Sequence, residues 1–323
     1  MRYMITLAFA STPLFATAFS PAFAEVPLVV TDIPPVHALV AEVMGDLGQP
    51  TLLLARGADE HDFQLKPSQA AAVAESGLVV WIGPELTPWL DSAMENRPAG
   101  APALALLDAK GTVTRAYSGK NGDEKEEEAH DEAAEGQEHD HDHEGHSHDG
   151  TDPHAWLDPD NGKIWLGLIA AELSLLDPEN AAVYAANAAA ASDRITALDT
   201  DLAALLAPVQ GKPLVTFHAA YGYFGEHYGL TLAGSIALGD AASPGAQRLS
   251  ELRTTMEAGD VLCIFPEVQH DPALVTQMAE GTGARIGGAI DPVGSTLEPG
   301  PGAYAALLTG IAQSLADCVA DGT

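Results

Sequence analysis

The chain reads as an α/β protein of two lobes, each a parallel β-sheet flanked by helices, joined by one long helix. Three observations predict this. Short apolar runs alternate with helical periodicity, the pattern of parallel strands covered on both faces. The alternation occurs twice, across residues 25–177 and again across 208–323. Between them, from 178 to 207, lies an Ala-rich stretch that has no Gly and no Pro after Pro178. Alanine is the strongest helix former, and a helix of about 28 residues runs about 40 Å, more than one small lobe needs.

The elements follow in order. Arg2 gives a positive start, Met4 to Phe19 is uncharged and largely apolar, and Ala22-Phe23-Ala24 has the small-x-small pattern of a cleavage site. About 16 apolar residues fall short of the ~20 that span a bilayer. Residues 1–24 are therefore expected to be a cleaved signal peptide, which places the mature chain in the periplasm. Val26–Thr31 is a buried strand and Val36–Leu47 a helix ending near Gly48. Thr51–Leu54 is a short apolar run, and Lys66-Pro67-Ser68 opens a helix with Ser68 as N-cap. Leu78–Ile82 and Ala103–Leu107 complete the first set of strands, and Asn161–Leu176 is an amphipathic helix. After the long helix come strands at Leu214–Phe217, Leu232–Ile236, Val261–Phe265 and Arg285–Ile290. Helices are expected at Ala220–Tyr228, Ser250–Glu257, Pro272–Glu280 and Tyr304–Asp321. No segment after the signal reads as a membrane span.

The formal charge is −32, a poor match to nucleic acid, which needs a basic face to release counterions. The charge concentrates in residues 118–151, which are acidic, His-rich and nearly devoid of apolar side chains, and so are expected to be disordered. Half of the 12 histidines fall here. His139, His141, His143, His146 and His148, interleaved with Asp140, Asp142 and Glu144, are expected to form an auxiliary metal-capture or sensing tract, because neutral imidazole suits Zn²⁺, Cu²⁺ and Ni²⁺. Ordering flexible imidazoles costs entropy, so binding there is expected to be weak and multiple. Cys263 and Cys318, an even pair in an exported chain, are expected to form a disulfide.

Three other histidines share a context. His61 follows the second apolar run, His154 sits in a turn before a helix, and His218 ends a strand. Ligands of parallel α/β sheets bind at the carboxyl ends of strands, so these residues lie where two lobes face one another. Three imidazoles leave one place in a tetrahedral Zn²⁺ shell. Asp291, ending the last strand, is a candidate for it, and Glu60, beside His61, is the competing carboxylate. His37 is expected to play a structural or supporting role near the same cleft, and His227 and His270 to be surface or capping residues. H-E-x-x-H, G-x-S-x-G and a P-loop are all absent, so an enzyme is not expected.

Four segments together resemble the ZnuA-type zinc-binding proteins of bacterial ABC importers, within the cluster A-I metal-specific solute-binding proteins. They are Gly57-Ala-Asp-Glu-His-Asp-Phe-Gln-Leu-Lys-Pro-Ser68, Asp152-Pro-His-Ala-Trp-Leu-Asp158, Thr216-Phe-His-Ala-Ala-Tyr-Gly-Tyr-Phe224 and Ile290-Asp-Pro-Val-Gly294. The resemblance covers essentially the whole chain after residue 24. It implies a metal in the inter-lobe cleft and a connecting helix that limits hinge motion. By motif position, His61, His154 and His218 are the three family histidines. The fourth place varies among relatives between the carboxylates matching Asp291 and Glu60 and water, and it stays open here. The acidic His-rich loop is similar to that of zinc-specific members, and the cysteine pair to their disulfide. The implied function is high-affinity capture of Zn²⁺ and its delivery to an ABC importer permease with its cytoplasmic ATPase. A monomer is expected, with a periplasmic zinc chaperone as a further partner. The alternatives are a manganese-specific receptor of the same fold and, more distantly, a zinc-dependent hydrolase.

Overall fold

The computed structural model describes residues 26–116, 150–237, 244–258 and 261–321. Residues 1–24, expected to be a signal peptide, and the histidines of the acidic tract lie outside the described residues.

The N-terminal sheet contains β1 (Val29–Thr31), β2 (Thr51–Leu52), β3 (Leu78–Trp81) and β4 (Ala103–Ala105) in the order β2-β1-β3-β4, all parallel. Its helices are α1 (Pro34–Met44), α2 (Pro67–Glu75) and α3 (Asp91–Glu95). α4 (Pro159–Leu176) and the 26-residue α5 (Ala181–Leu206) follow. The C-terminal sheet contains β5 (Pro213–His218), β6 (Thr231–Ala237), β7 (Cys263–Ile264) and β8 (Arg285–Ile286) in the equivalent order β6-β5-β7-β8, again all parallel. With it run α6 (Gly222–Tyr228), α7 (Ala246–Glu257), α8 (Ala273–Ala279) and the terminal α9 (Ala303–Ala320).

Strand alternation explains the layering. Val29 and Val80 face one apolar cluster while Val30 and Val79 face another, as successive side chains on a strand must. In the second sheet Leu214 and Cys263 point inward and Val215 and Ile264 outward. The inward faces of both sheets belong to one continuous cluster, filled by α1, α4, α5 and α9. The long helix runs through this shared layer, packing on α4, α1 and α9. Cys263 and Cys318 are joined in a disulfide that ties β7 to α9.

Several boundaries differ from the sequence expectation. Ser68 is not an N-cap: the helix begins at Pro67, and the Gln69 side chain accepts the Lys66 N–H at 2.8 Å, leaving Ser68 inside the first turn. β8 stops at Ile286 rather than Ile290, and at Gly287 the backbone passes close against the Phe265 ring. A Cβ there would come within 2.2 Å of that ring. Ile290 rejoins only through an isolated parallel bridge to Glu267. By length and composition α9 qualifies as a membrane span, contrary to the sequence expectation. Its apolar stripe from Tyr304 to Val319 is instead buried in the shared core, which is why it is so apolar.

Candidate metal centre

The expected histidines converge. His61 comes from the loop after β2, His154 from the turn entering α4, and His218 from the last position of β5. Nε2 of His154 lies 3.2 Å from Nε2 of His61 and 3.4 Å from Nε2 of His218. With Zn–N bonds of about 2.0–2.1 Å, nitrogens in a tetrahedral shell sit about 3.3–3.4 Å apart, so the spacing suits a common ion. Glu60, His61, His154 and His218 each offer a ligand atom within 4.8 Å of the others, and Glu60, His154 and His218 are buried.

Carboxylates fix the ring chemistry of two of the histidines. Nδ1 of His154 donates to Asp152 Oδ1 at 2.8 Å, and Nδ1 of His218 donates to Glu267 Oε2 at 2.6 Å. A carboxylate only accepts, so each Nδ1 carries the hydrogen of that bond and Nε2 of each ring is turned toward the other. The Nε2 atoms of the two rings therefore face each other across 3.4 Å, within reach of one ion. Glu267 is held in turn by the Tyr221 hydroxyl, which donates to Oε1 at 3.0 Å, and by the His218 N–H at 3.3 Å. Burial, and then Glu267 itself, pushes the Tyr221 hydroxyl well above its usual range, which keeps it a donor. Trp156 anchors the His154 turn across the lobes, its indole N–H donating to the Pro292 carbonyl at 2.8 Å. Glu60, Glu267 and His270 line the space beside His218.

Asp291 is placed differently from Glu60. Its carboxylate accepts from the N–H groups of Ser295 (3.0 Å) and Thr296 (2.9 Å), from the Thr296 hydroxyl (2.7 Å) and from the Gln269 amide (3.2 Å). It caps the turn after β8. Ser295 of that turn accepts the Gly57 N–H at 3.0 Å, and Arg56 pairs with Glu298, so the turn clasps the loop that leads to His61. His37 is buried against the Pro50 carbonyl at 3.2 Å and is not in the cluster. His270 stacks on Phe217 with ring centres 4.2 Å apart. His227 is neither a surface nor a capping residue: it sits between Asp158 (3.1 Å) and Asp199 (2.9 Å). Hydrogen bonding to Asp158 and then Asp199 outweighs burial and raises its pKa to about 9. Asp158, Asp160 and His227 also group at metal-site distances. With both ring nitrogens of His227 donating, that group is an ion-pair junction of α6 with α4 and α5. Asp152 and Glu267 were missed by sequence reasoning; Asp152 stands two residues from a candidate ligand, but Glu267 is 49 residues from His218 and only the β5–β7 neighbourhood unites them.

A two-lobed α/β frame with converging imidazoles between its sheets defines a solute-binding protein of the metal-importer class. Solved structures share the frame. The solute-binding protein FpvC from Pseudomonas aeruginosa in complex with Mn²⁺ has a TM-score of 0.76 at 19% identity, covering 92% of this chain and all of that one. A zinc-bound ZnuA with residues 138–173 of its own sequence deleted has a TM-score of 0.69 at 25% identity, covering 90% and 97%. The family described as zinc-uptake complex component A, periplasmic, matches residues 29–318, and the chain belongs to it. It is 51% identical over 282 residues to the high-affinity zinc uptake system protein ZnuA of Paracoccus denitrificans, covering 85% of this chain and 86% of that protein. The namesake of Brucella abortus is 38% identical over 296 residues, covering 85% and 86%.

Proposed function

We propose that this chain captures Zn²⁺ in the periplasm through His61, His154 and His218, with Glu60 as fourth ligand, and passes it to the permease of an ABC importer powered by a cytoplasmic ATPase. The observation that carries this is the convergence of the three imidazole Nε2 atoms and the Glu60 carboxylate, two of the rings being oriented by Asp152 and Glu267. Imidazole-rich shells suit Zn²⁺, whereas Mn²⁺ is better served by oxygen donors. With Asp291 committed to its turn, Glu60 is the sole oxygen donor of the group. The work of the protein is binding, docking and release as a monomer, with no covalent chemistry, and a periplasmic chaperone is a further source of metal. The acidic tract serves as an auxiliary, weaker capture segment.

Competition with a chelator of known affinity tests the proposal. Replacing His154 or His218 by Ala is expected to weaken Zn²⁺ binding at least a hundredfold, since a structural zinc shell totals about 10–16 kcal/mol over four ligands. His61→Ala is expected to act likewise. Unchanged affinity in all three would sink the proposal. Deleting residues 120–150 is expected to leave the tight site and remove additional weak binding.

A further inference from the structure

Beside the metal centre, and using none of its ligands, Arg115 and Asp152 face each other at the base of the acidic insert. Ala116 and Thr151 pair in an antiparallel bridge, and the Asp152 N–H donates to the Arg115 carbonyl at 2.9 Å. Nη1 of Arg115 donates to Asp152 Oδ2 at 3.1 Å, while the other oxygen of that carboxylate holds Nδ1 of His154. The Arg115 side chain is largely covered and that of Asp152 is 2% exposed. The start of α6 supplies the seat. The Tyr223 hydroxyl accepts the Arg115 N–H at 3.1 Å and donates to the Asp152 carbonyl at 2.8 Å. The guanidinium carbon stands 5.6 Å from the centre of the Tyr223 ring, and Nε lies 3.6 Å from Glu226. A Cβ on Gly222 would fall 1.3 Å from Nη1 of Arg115. The guanidinium therefore occupies the space that any side chain at 222 would need.

We propose that Arg115 is a positioning residue for metal capture, seated on Gly222 and Tyr223 so that it fixes the Asp152 carboxylate and, through it, the His154 ring. The inference rests on His154 being a zinc ligand. The physical reason is that the carboxyl torsion of Asp is soft, so its orientation is set by its partners. Asp152 Oδ1 takes both the ring and the backbone N–H of His154, at 2.8 and 3.1 Å, and Arg115 holds the opposite oxygen. Because α6 begins directly beyond His218, the same seat joins the supports of two ligands.

The test is a double-mutant cycle on the full-length mature chain, read by Zn²⁺ competition and by the visible absorption of bound Co²⁺, which reports ligand geometry. Arg115→Ala and Gly222→Ala are each expected to weaken Zn²⁺ about tenfold, the low end for supporting partners of ligands, and to shift the Co²⁺ bands. The double variant is expected to bind no worse than Arg115→Ala, because alanine at 222 harms the site only by evicting the guanidinium. Arg115→Lys, which keeps a cation for Asp152, is expected to recover part of the loss. The proposal is overturned if Gly222→Ala binds like the parent with unshifted bands, or if the two losses multiply. Melting curves show that each variant is folded; should Gly222→Ala misfold, Arg115→Lys binding no better than Arg115→Ala overturns the proposal alone. Loss of metal binding in His154→Ala, measured alongside, separates failure here from failure of the ligand assignment.

Discussion

The two sheets share one strand order, and each carries a buried carboxylate that ties the ends of its two central strands. They do so from opposite sides. In the N-terminal sheet Asp32, just past β1, accepts the Ile33 N–H and, across at the end of β3, the Ile82 N–H, both at 2.8 Å. In the C-terminal sheet Glu267, past β7, reaches back to the N–H of His218 on β5. Asp32 spends both oxygens on backbone, and burial pushes its carboxyl up to about 7. Glu267 is one methylene longer and turns its second oxygen onto a candidate ligand. The same frame thus yields a structural staple in one half and a support for a candidate ligand in the other.

Four changes probe that difference, largest effect first. Only the C-terminal half has a disulfide among the described residues, closing a separation of 55 residues. Replacing Cys263 and Cys318 by Ala is expected to cost about 4 kcal/mol of stability in the chain-entropy treatment, read as a lower midpoint in denaturant, with the order of strands unchanged. Glu267→Gln is next, with an expected 10–100-fold loss of Zn²⁺ affinity. Asp32→Asn should do the reverse. It leaves one backbone N–H facing an amide NH₂, costing about 1–3 kcal/mol of stability, with metal affinity intact. A drop in affinity for Asp32→Asn as large as that for Glu267→Gln would break the comparison. The smallest effect concerns the junction between the halves. The pKa of His227 is about 9 against an ordinary 6.5, so its contribution is complete below pH 6.5 and lost as pH rises through 9. His227→Gln is expected to lower stability by about 1–2 kcal/mol at pH 6, an allowance for partial exposure included, and to match the parent near pH 10.

Much of this was legible in sequence because the punctuation is physical. Pro67 and Gly83-Pro84 mark where helix begins and strand ends, and apolar runs such as Leu78–Trp81 are buried along their whole length. Strand ends were less legible. Val261–Phe265 reads as a strand, but only Cys263 and Ile264 are in ladder register. The three histidines stood out through their place at strand and loop ends. The partner of His218 did not, since Glu267 belongs to a neighbouring strand and nothing in the local sequence records parallel adjacency. Arg115 was hidden in the same way, lying 37 residues before Asp152 on the far side of the insert.

The single apolar cluster beneath both sheets has a consequence for how cargo enters and leaves. Prying the sheets apart would expose apolar side chains from α1, α4, α5 and α9, the large aliphatic ones costing about 1.5–3 kcal/mol each to uncover. That total far exceeds the about 10–16 kcal/mol that a zinc ion returns. No ion can drive so wide an opening, and no docking partner need force one. Traffic is left to the rim, where the loop of Glu60 and His61, the turn of His154 and the strand ends at His218 and Glu267 surround the cluster.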